Sequence, residues 1–342
     1  MKALATTLAA GVGTLAVMLA SVSIANAEPF RLILTHLEPP LVPNSVMDLA
    51  AELGYFEREG VEIELVRVQQ TPSAVAALQA GEGEMANIGL DALLQLTAQG
   101  ASDLKAVTSP NKSLPFLIAA RDDIASPADL AGKRFGVGRV GSLDYSLSMN
   151  VLEGAGLDTE TLEVLAVGQP DIRAQALAAG QIDATTVSIG VWLALPEKDG
   201  LAVLVDQDAY YQGAPVVNKV NVVPEAVIAE RREEVEGVIR ALIKISRDFS
   251  ANPSAWAEAM NGVLPAVSLD QLEELAQSFD GSWSVNGGMS ATELQYSQDW
   301  LYETEDFANA APVALADWTD FTLVDAVLAE LGVDDTADQP AR

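Results

Sequence analysis

Two stretches of this chain follow one pattern at a constant offset of 99 residues. AALQAGEGEMANIGLDALL (76–94) and QALAAGQIDATTVSIGVWL (175–193) align Leu78 with Leu177, Ala80 with Ala179, Gly81 with Gly180, Glu84 with Asp183 and Ile88 with Val187. Each reads as a helix ending at a glycine, a turn with an acidic residue, a short strand and a small-residue loop. Common residues such as Ala, Leu and Gly match by composition alone in some sequences. Taken as a repeat, the pattern commits the chain to two similar α/β lobes. Each lobe then carries a loop at the C-terminal end of a strand, where such sheets bind ligands.

Strand and helix signals alternate around the repeat. RLILTHL (31–37) and VEIELVRV (61–68) read as strands, and SVMDLAAELGYFEREG between them has helical apolar spacing with Gly54 and Gly60 as stops. TPSAVAALQAGE is expected as a helix with Thr71 as N-cap and Pro72 at its first position. MANIGL then reads as a short buried strand and ALLQLTAQG as a helix. LPFLIAARDDIASPADLAGKRFGVG (114–138) gives strand, turn and strand, and LAVLVDQDAYY (201–211) and APVVNKVNVV (214–223) are both expected as strands. From PEAVIAERREEVEGVIRALIKISRDFS onward the pattern is helical, with Trp256, Trp283, Trp300 and Trp318 expected in helix packing. The terminal DDTADQPAR has no apolar face and is expected to fray.

Phe135 to Ser146, FGVGRVGSLDYS, contains G-x-G-x-x-G at Gly136, Gly138 and Gly141. That spacing suits a dinucleotide site, because glycines let backbone N–H groups approach a pyrophosphate at a helix N-terminus. It also suits a glycine turn serving another ligand. The context disfavours the nucleotide reading, since the motif sits mid-chain, after a helical turn, in a chain that begins like an exported one.

That beginning is MKALATTLAAGVGTLAVMLASVSIANAEPF. Lys2, an uncharged apolar segment and the small-x-small Ala25-Asn26-Ala27 read as a secretory signal over residues 1–27, cut before Glu28. A retained membrane anchor is the competing reading, because the apolar stretch nears the ~20 residues a spanning helix needs. No cysteine follows the segment, so lipid attachment at a new N-terminal cysteine is not expected, and the expected product is a soluble, exported protein rather than a lipoprotein. With 0 cysteines, disulfides, thiolate metal sites and a Cys nucleophile are unavailable.

The formal charge of −30 comes from 19 basic and 49 acidic residues. Such a field repels phosphate backbones and anionic lipid surfaces, which argues against nucleic-acid binding. It reads as a solvated acidic surface, suited to salty surroundings, or as a site for a cationic partner.

AELGYFEREGVEIELVRV, ALQAGEGEMANIG, SPADLAGKRFGVG and ALAAGQIDA, in this order, resemble the periplasmic substrate-binding proteins of ABC importers in the sulfonate, nitrate and thiamine-precursor (taurine-like) group. The resemblance covers most of residues 30–260. It implies a two-lobed α/β periplasmic binding protein (type II), with mixed sheets flanked by helices, a hinge and a central cleft. Lobe I is then expected over residues 28–117 and 217–342, and lobe II over 118–216. The crossings near Asn111 to Arg121 and Gln212 to Asn218 are expected to hinge. The implied partners are a small-molecule solute and an ABC permease with its ATPase, and the implied state is a monomer without cofactor.

Within that frame the KRFGV strand opens the second lobe, and the N–H groups at Gly141 and Ser142, with the Ser142 hydroxyl, are expected to grip an anionic or polar end of the solute. His36, Leu37 and Glu38 follow the first strand and border the implied cleft. His36 is the chain's 1 histidine, which argues against a multi-His metal site or a Ser-His-Asp relay, and it reads equally as locally hydrogen-bonded. Gln70 and Thr71 are candidate contacts or only helix caps. Gly89, Leu90 and Asp91 close the first repeat's strand, and Ser188, Ile189 and Gly190 close the second. Asp91 also reads as the N-cap of the next helix. Trp192 and Tyr145 offer apolar walls or stacking faces, or pack in the core. Arg139 offers a bidentate fork for a carboxylate or sulfonate, or is a solvated turn residue.

The resemblance thus implies an exported protein that is expected to bind a small organic solute, whether sulfonate, aromatic acid or pyrimidine-like, and to deliver it to a permease. A periplasmic sensor handing its bound state to a membrane receptor fits the same residues. An enzyme is the weakest reading. The group also resembles eukaryotic pyrimidine synthases of thiamine biosynthesis, but their CCCFC segment is absent, as are G-x-S-x-G and H-E-x-x-H motifs.

Overall fold

The computed structural model describes residues 28–100, 103–112, 116–214, 216–279, 281–335, 338 and 340; the leader expected over residues 1–27 lies outside them. Two five-stranded sheets organise the chain. The first holds β1 (Phe30–Leu34), β2 (Ile63–Arg67), β3 (Met85–Gly89) and β4 (Leu104–Asn111). The second holds β5 (Phe116–Arg121), β6 (Arg134–Val137), β7 (Glu163–Ala166), β8 (Ala184–Ser188) and β9 (Leu201–Val205), after which β10 (Lys219–Pro224) returns to the first. The strand orders are β2-β1-β3-β10-β4 and β7-β6-β8-β5-β9. In each sheet four strands run in one direction and the first strand after a crossing, β10 or β5, enters antiparallel between two of them. Both sheets are thus mixed and share one topology.

Helices link the strands in the same sequence on both sides. In the first unit α1 (Val46–Glu52) and α2 (Tyr55–Arg58) lead to β2, α3 (Thr71–Gln79) to β3 and α4 (Leu90–Ala98) to β4. In the second, α5 (Leu143–Gly154) leads to β7, α6 (Pro170–Ala178) to β8, α7 (Ile189–Ala194) to β9 and α8 (Gln207–Gly213) back toward β10. The sequence offset survives as structure, because α3, β3 and the start of α4 correspond residue for residue to α6, β8 and the start of α7. Both β3 and β8 are buried throughout, which explains why MANIG and ATTVS lack an apolar-polar alternation.

The acidic residue of each repeat ties the strands together. Glu84 accepts the Arg31 main-chain N–H at 2.7 Å and pairs with its guanidinium at 2.6 Å. Asp183 does the same for Arg134, at 3.0 and 2.7 Å. Hydrogen bonds from Arg134 hold the Asp183 carboxyl down at about 2. At Glu84, burial works to raise the carboxyl, and the Arg31 hydrogen bonds overcome it and leave it below the usual range.

The remaining helices, α9 (Glu225–Glu230), α10 (Arg232–Ala251), α11 (Pro253–Val263), α12 (Leu269–Gln277), α13 (Ala291–Tyr302), α14 (Leu315–Trp318) and α15 (Phe321–Leu331), make the helix-rich tail. Trp256 is fully buried, meets Phe279 edge-on with centroids 5.1 Å apart, and donates its indole N–H to Ser45 Oγ at 2.9 Å. Trp318 is buried and donates to Gln298 Oε1 at 2.6 Å. Both tryptophans are therefore packing residues, and Trp256 fixes the tail to the first unit through Ser45. Among the described residues no helix is long and apolar enough to cross a membrane.

Several local expectations are corrected. LAVLVDQDAYY is not one strand: it breaks at Asp206, whose carboxylate accepts the Ala209 N–H at 2.9 Å and starts α8. APVVNKVNVV enters the sheet only at Lys219. Thr71 is the first residue of α3 rather than its N-cap, which is Gln70, and the N-cap of α4 is Gly89 rather than Asp91. The chain end is not wholly frayed, because Asp338 is buried, accepts the Asn286 and Gly288 N–H groups and pairs with Lys112 at 3.2 Å.

Candidate functional site

The two sheet units meet along a seam formed by loops after their strands. Gln169, the N-cap of α6, donates its side-chain amide to the Gln69 carbonyl at 2.5 Å. Ser146 on α5 donates to Asp306 at 2.6 Å, and Gln271 on α12 donates to the Leu193 carbonyl at 3.3 Å. At Gly190 the approach is closest: a Cβ there would stand 2.2 Å from the Leu41 carbonyl oxygen and 2.4 Å from its Cβ. The cleft between the units is closed in this structure, and only glycine fits position 190 in that state.

On the first unit's side, β1 ends at Leu34 and delivers Thr35 and His36 to the seam. His36 turns inward, with Nε2 2.9 Å from Asp48 Oδ2, and Asp48 also pairs with Arg67 at 2.6 Å. Burial pushes the His36 imidazole below its usual range against the opposing pull of Asp48. Its local partner matches the simpler of the two sequence readings. Leu37 and Glu38 are exposed on the same loop. Gln70 is half-buried beside the Gln169 bond, and Thr71 Oγ1 accepts the Gly89 N–H at 3.1 Å, joining the loops after β2 and β3. Gly89 and Leu90 are buried. The Asp91 side chain folds back over Gly89, so a Cβ there would meet Asp91 Oδ1 at 2.3 Å. Burial raises the Asp91 carboxyl to about 6, against the Ala92 N–H and Arg139.

On the second unit's side the glycine motif has a concrete purpose. Gly138 leaves room for an ion pair: a Cβ there would lie 2.9 Å from Arg173 Nη1 and 3.2 Å from Asp144 Oδ2. Arg173 Nη1 donates to Asp144 Oδ2 at 2.8 Å, and the same oxygen accepts the Gly138 N–H at 3.3 Å. The chain's own carboxylate thus occupies the anion position that the motif offers. The Ser142 hydroxyl is within 2.5 Å of both the Arg139 carbonyl and Asp144 Oδ1, so its proton has internal acceptors. Gly141 and Tyr145 are half-buried nearby, and Arg139 is exposed, its guanidinium 3.4 Å from the Val140 and Gly141 carbonyls. Ser188 caps α7 by accepting the Val191 N–H at 3.3 Å, and Ile189 packs on the core. Trp192 packs against the buried cluster around Leu177 and Val187, with the Lys198 ammonium 5.8 Å from its ring centre.

The expected residues therefore divide. Those on the β1, β3 and β8 loops and on the glycine loop gather along the seam, whereas Arg139 faces solvent and Trp192 belongs to the second unit's packing. Sequence reading missed Leu41, Asp144, Arg173, Gln169 and Lys219. Gln169 had a signal, because it is the repeat partner of Gln70. Lys219 had one too, as a lone cation inside the apolar run VVNKVNVV. Its Nζ donates to Thr35 Oγ1 at 2.7 Å.

Two sheets of one topology, joined by two crossings and closing on a seam of strand-end loops, define the architecture of periplasmic binding proteins. The NMT1/THI5 like family model matches residues 45–255, more than half of the chain, and the chain belongs to that family. A binding protein of Brucella abortus (strain 2308) is 29% identical over 268 residues, covering 72% of this chain and 79% of the relative. The taurine-binding periplasmic protein of Escherichia coli (strain K12) is 26% identical over 225 residues, covering 66% and 69%. Among solved structures, the nitrate-binding protein NrtA from Synechocystis PCC 6803 superposes with a TM-score of 0.70 at 11% identity, covering 93% of each chain. The alkanesulfonate-binding protein SsuA from Xanthomonas axonopodis pv. citri does so with a TM-score of 0.60 at 19% identity, covering 74% and 85%. The desulfurization enzyme DSZB shares the fold with a TM-score of 0.60 at 17% identity, covering 88% and 99%, so the architecture alone does not separate binding from catalysis.

Proposed function

We propose that this chain is an exported, monomeric solute-binding protein that takes a small organic solute into the cleft between lobe I (28–117 and 217–342) and lobe II (118–216) and delivers it to an ABC permease. The observation that carries this reading is the symmetry of the seam. Repeat-equivalent loops, after β3 and after β8, stand at the C-terminal ends of their strands, and the N-cap Gln169 reaches across to the neighbour of its counterpart Gln70. Closure on a solute would exclude water and strengthen its polar contacts, and the closed form would be the one that engages the permease. The crossings near Asn111 to Arg121 and Gln212 to Asn218 would flex. The leader at residues 1–27 would place the protein in the periplasm.

The polar side chains of the seam are engaged locally: the histidine is held by Asp48, Ser188 caps α7, and Ser142 bonds to the Arg139 carbonyl and Asp144. The test is a thermal-shift screen of the purified protein against sulfonates, nitrate, aromatic carboxylates, pyrimidines and polyamines. A solute at 100 times its Kd adds about 2.7 kcal/mol, which is readily visible as a raised midpoint. Turnover of a bound solute would instead favour an enzyme.

A further inference from the structure

α13 stands where the chain passes between the two units. Lys112 directly follows β4 and leads into the first crossing. Its side chain is mostly buried, with the ammonium 3.5 Å from Glu293 Oε1 on α13 and 3.2 Å from Asp338 Oδ1. Val217 closes the second crossing just before β10, and its N–H donates to Ser297 Oγ on α13 at 2.9 Å. The next carbonyl, that of Asn218, accepts the Leu90 N–H at 3.0 Å. Ser297 is fully buried and donates in turn to the Glu293 carbonyl at 2.7 Å. Glu293 and Ser297 are 4 residues apart, hence on one face of the helix, and that face holds the roots of both crossings.

The helix is itself fixed. Ser290 caps it by accepting the Glu293 N–H at 3.3 Å, and Gln298 donates to the Val313 carbonyl at 3.0 Å while accepting the Trp318 indole N–H at 2.6 Å. At the other end of the second crossing, Asn150 of α5 donates its amide to the Gly213 carbonyl at 2.8 Å. The crossing is thus tied to one unit at Gly213 and to the other at Val217. A hinge takes up its change of backbone angles in a few residues between held neighbours, so the turn on opening falls between these two ties. Just beyond α13 the same segment reaches Asp306, which accepts the Ser146 hydroxyl of the second unit at 2.6 Å. One stretch of chain therefore braces both crossings and also touches the far side of the seam.

We propose that α13 is the fulcrum of lobe movement, with Ser297 and Lys112 as positioning residues that hold the two crossings at a fixed spacing. The proposal rests on the solute-binding reading and assigns the place where its motion pivots. With both roots on one anchored helix, the crossings turn together and lobe II swings as a body toward its seam bonds. Without the Ser297 hydroxyl, the Val217 N–H loses its buried acceptor. Without the Lys112 ammonium, the first crossing loses its ties to α13 and to Asp338. Either loss loosens the pivot, and the lobes then sample positions beyond the closed one.

Double electron–electron resonance on the free protein, spin-labelled through Glu38→Cys and Val140→Cys on the two rims, tests this without any solute. Ser297→Ala and Lys112→Met should each raise the long-distance share of the distribution at least twofold, with Lys112→Gln as the alternative where the methionine variant does not fold. Asp183→Asn is the control for a purely structural loss, because it removes an ion pair within the second sheet, at the strand ends away from the seam. It should lower the melting midpoint and leave the distances as they are. A broad parent distribution that stays unchanged in Ser297→Ala or in the Lys112 variant overturns the fulcrum and leaves the solute-binding reading intact. A shift of equal size in Asp183→Asn overturns it in the same way. One narrow distance shared by the parent and every variant removes both the fulcrum and the closing of two lobes.

Discussion

Gln169 donates its side-chain amide to the main-chain carbonyl of Gln69, 2.5 Å away and 100 residues earlier in the chain. The bond joins the cap of α6 to the residue before the cap of α3, so the two repeats touch through nearly equivalent positions. Gly190 against Leu41 continues the same seam. If the lobes open and close, substitutions here act on the closed state and spare each lobe's own packing.

Gly190→Val tests that separation. Its side chain would collide with the Leu41 carbonyl, whose oxygen lies 2.2 Å from the position of a Cβ. The variant should melt within a few degrees of the parent yet bind its solute at least tenfold more weakly, about 1.4 kcal/mol. Calorimetric titration beside a thermal melt reads both quantities, and unchanged affinity would remove the closure role from this contact.

The glycine motif makes a different prediction. Gly138→Ala should cost about 1–3 kcal/mol by crowding Arg173 and Asp144, and Arg173→Met should cost about 3 kcal/mol by leaving the Asp144 carboxylate without its buried partner. Denaturant unfolding measures both. Dinucleotide binding that Gly138→Ala abolishes would restore the nucleotide reading.

The paired carboxylates of the repeats predict an acid limit to stability. The Asp183 carboxyl is held at about 2, below its ordinary 3.8. A depressed folded value means that its contribution is complete above the unfolded value and is lost as pH falls from roughly 4 toward 2. Asp183→Asn should cost about 1–3 kcal/mol at neutral pH and flatten the acid side of the stability curve. Glu84→Gln should behave in the same direction, since Glu84 makes the equivalent bonds to Arg31.

His36 allows a clean titration, because 1 histidine gives one set of imidazole signals. Burial depresses its folded value below 6.5. The unfolded chain therefore takes up the proton first, and the stabilising effect of the neutral, buried ring is present above pH 6.5 and declines as pH falls below it. Proton NMR across pH 4–8 should show a midpoint below 6.5; a midpoint at or above that value contradicts the buried geometry.

Much of the fold was legible because the repeat unit is simple. A helix stop at Gly81 or Gly180, an acidic turn residue and a short buried strand recur at one offset, and local signals agree with the global topology. The seam was legible only in outline. Asp91 and Thr71 looked like caps because short polar residues before apolar helices usually are. The main chain instead begins those helices at Gly89 and Gln70, so Thr71 bonds the Gly89 N–H of another loop and Asp91 folds back over Gly89. Arg139 attracted attention as the cation nearest the glycines, but its turn points it to solvent. Lys219 sits far along the chain and reaches the cleft only because β10 inserts beside β3, a pairing no local pattern encodes. The burial of Asp338 is likewise a long-range result, fixed by Lys112 and by N–H groups at Asn286 and Gly288.

The most direct test is a distance measurement across the seam. The chain has 0 cysteines, so Glu38→Cys and Val140→Cys place two spin labels at unique, exposed rim positions. Double electron–electron resonance should give a broad or two-component distance distribution in the free protein that collapses to its short component when a solute from the thermal-shift screen is added. One narrow distance, identical with and without a solute that demonstrably binds, would contradict a binding protein that works by closing its two lobes.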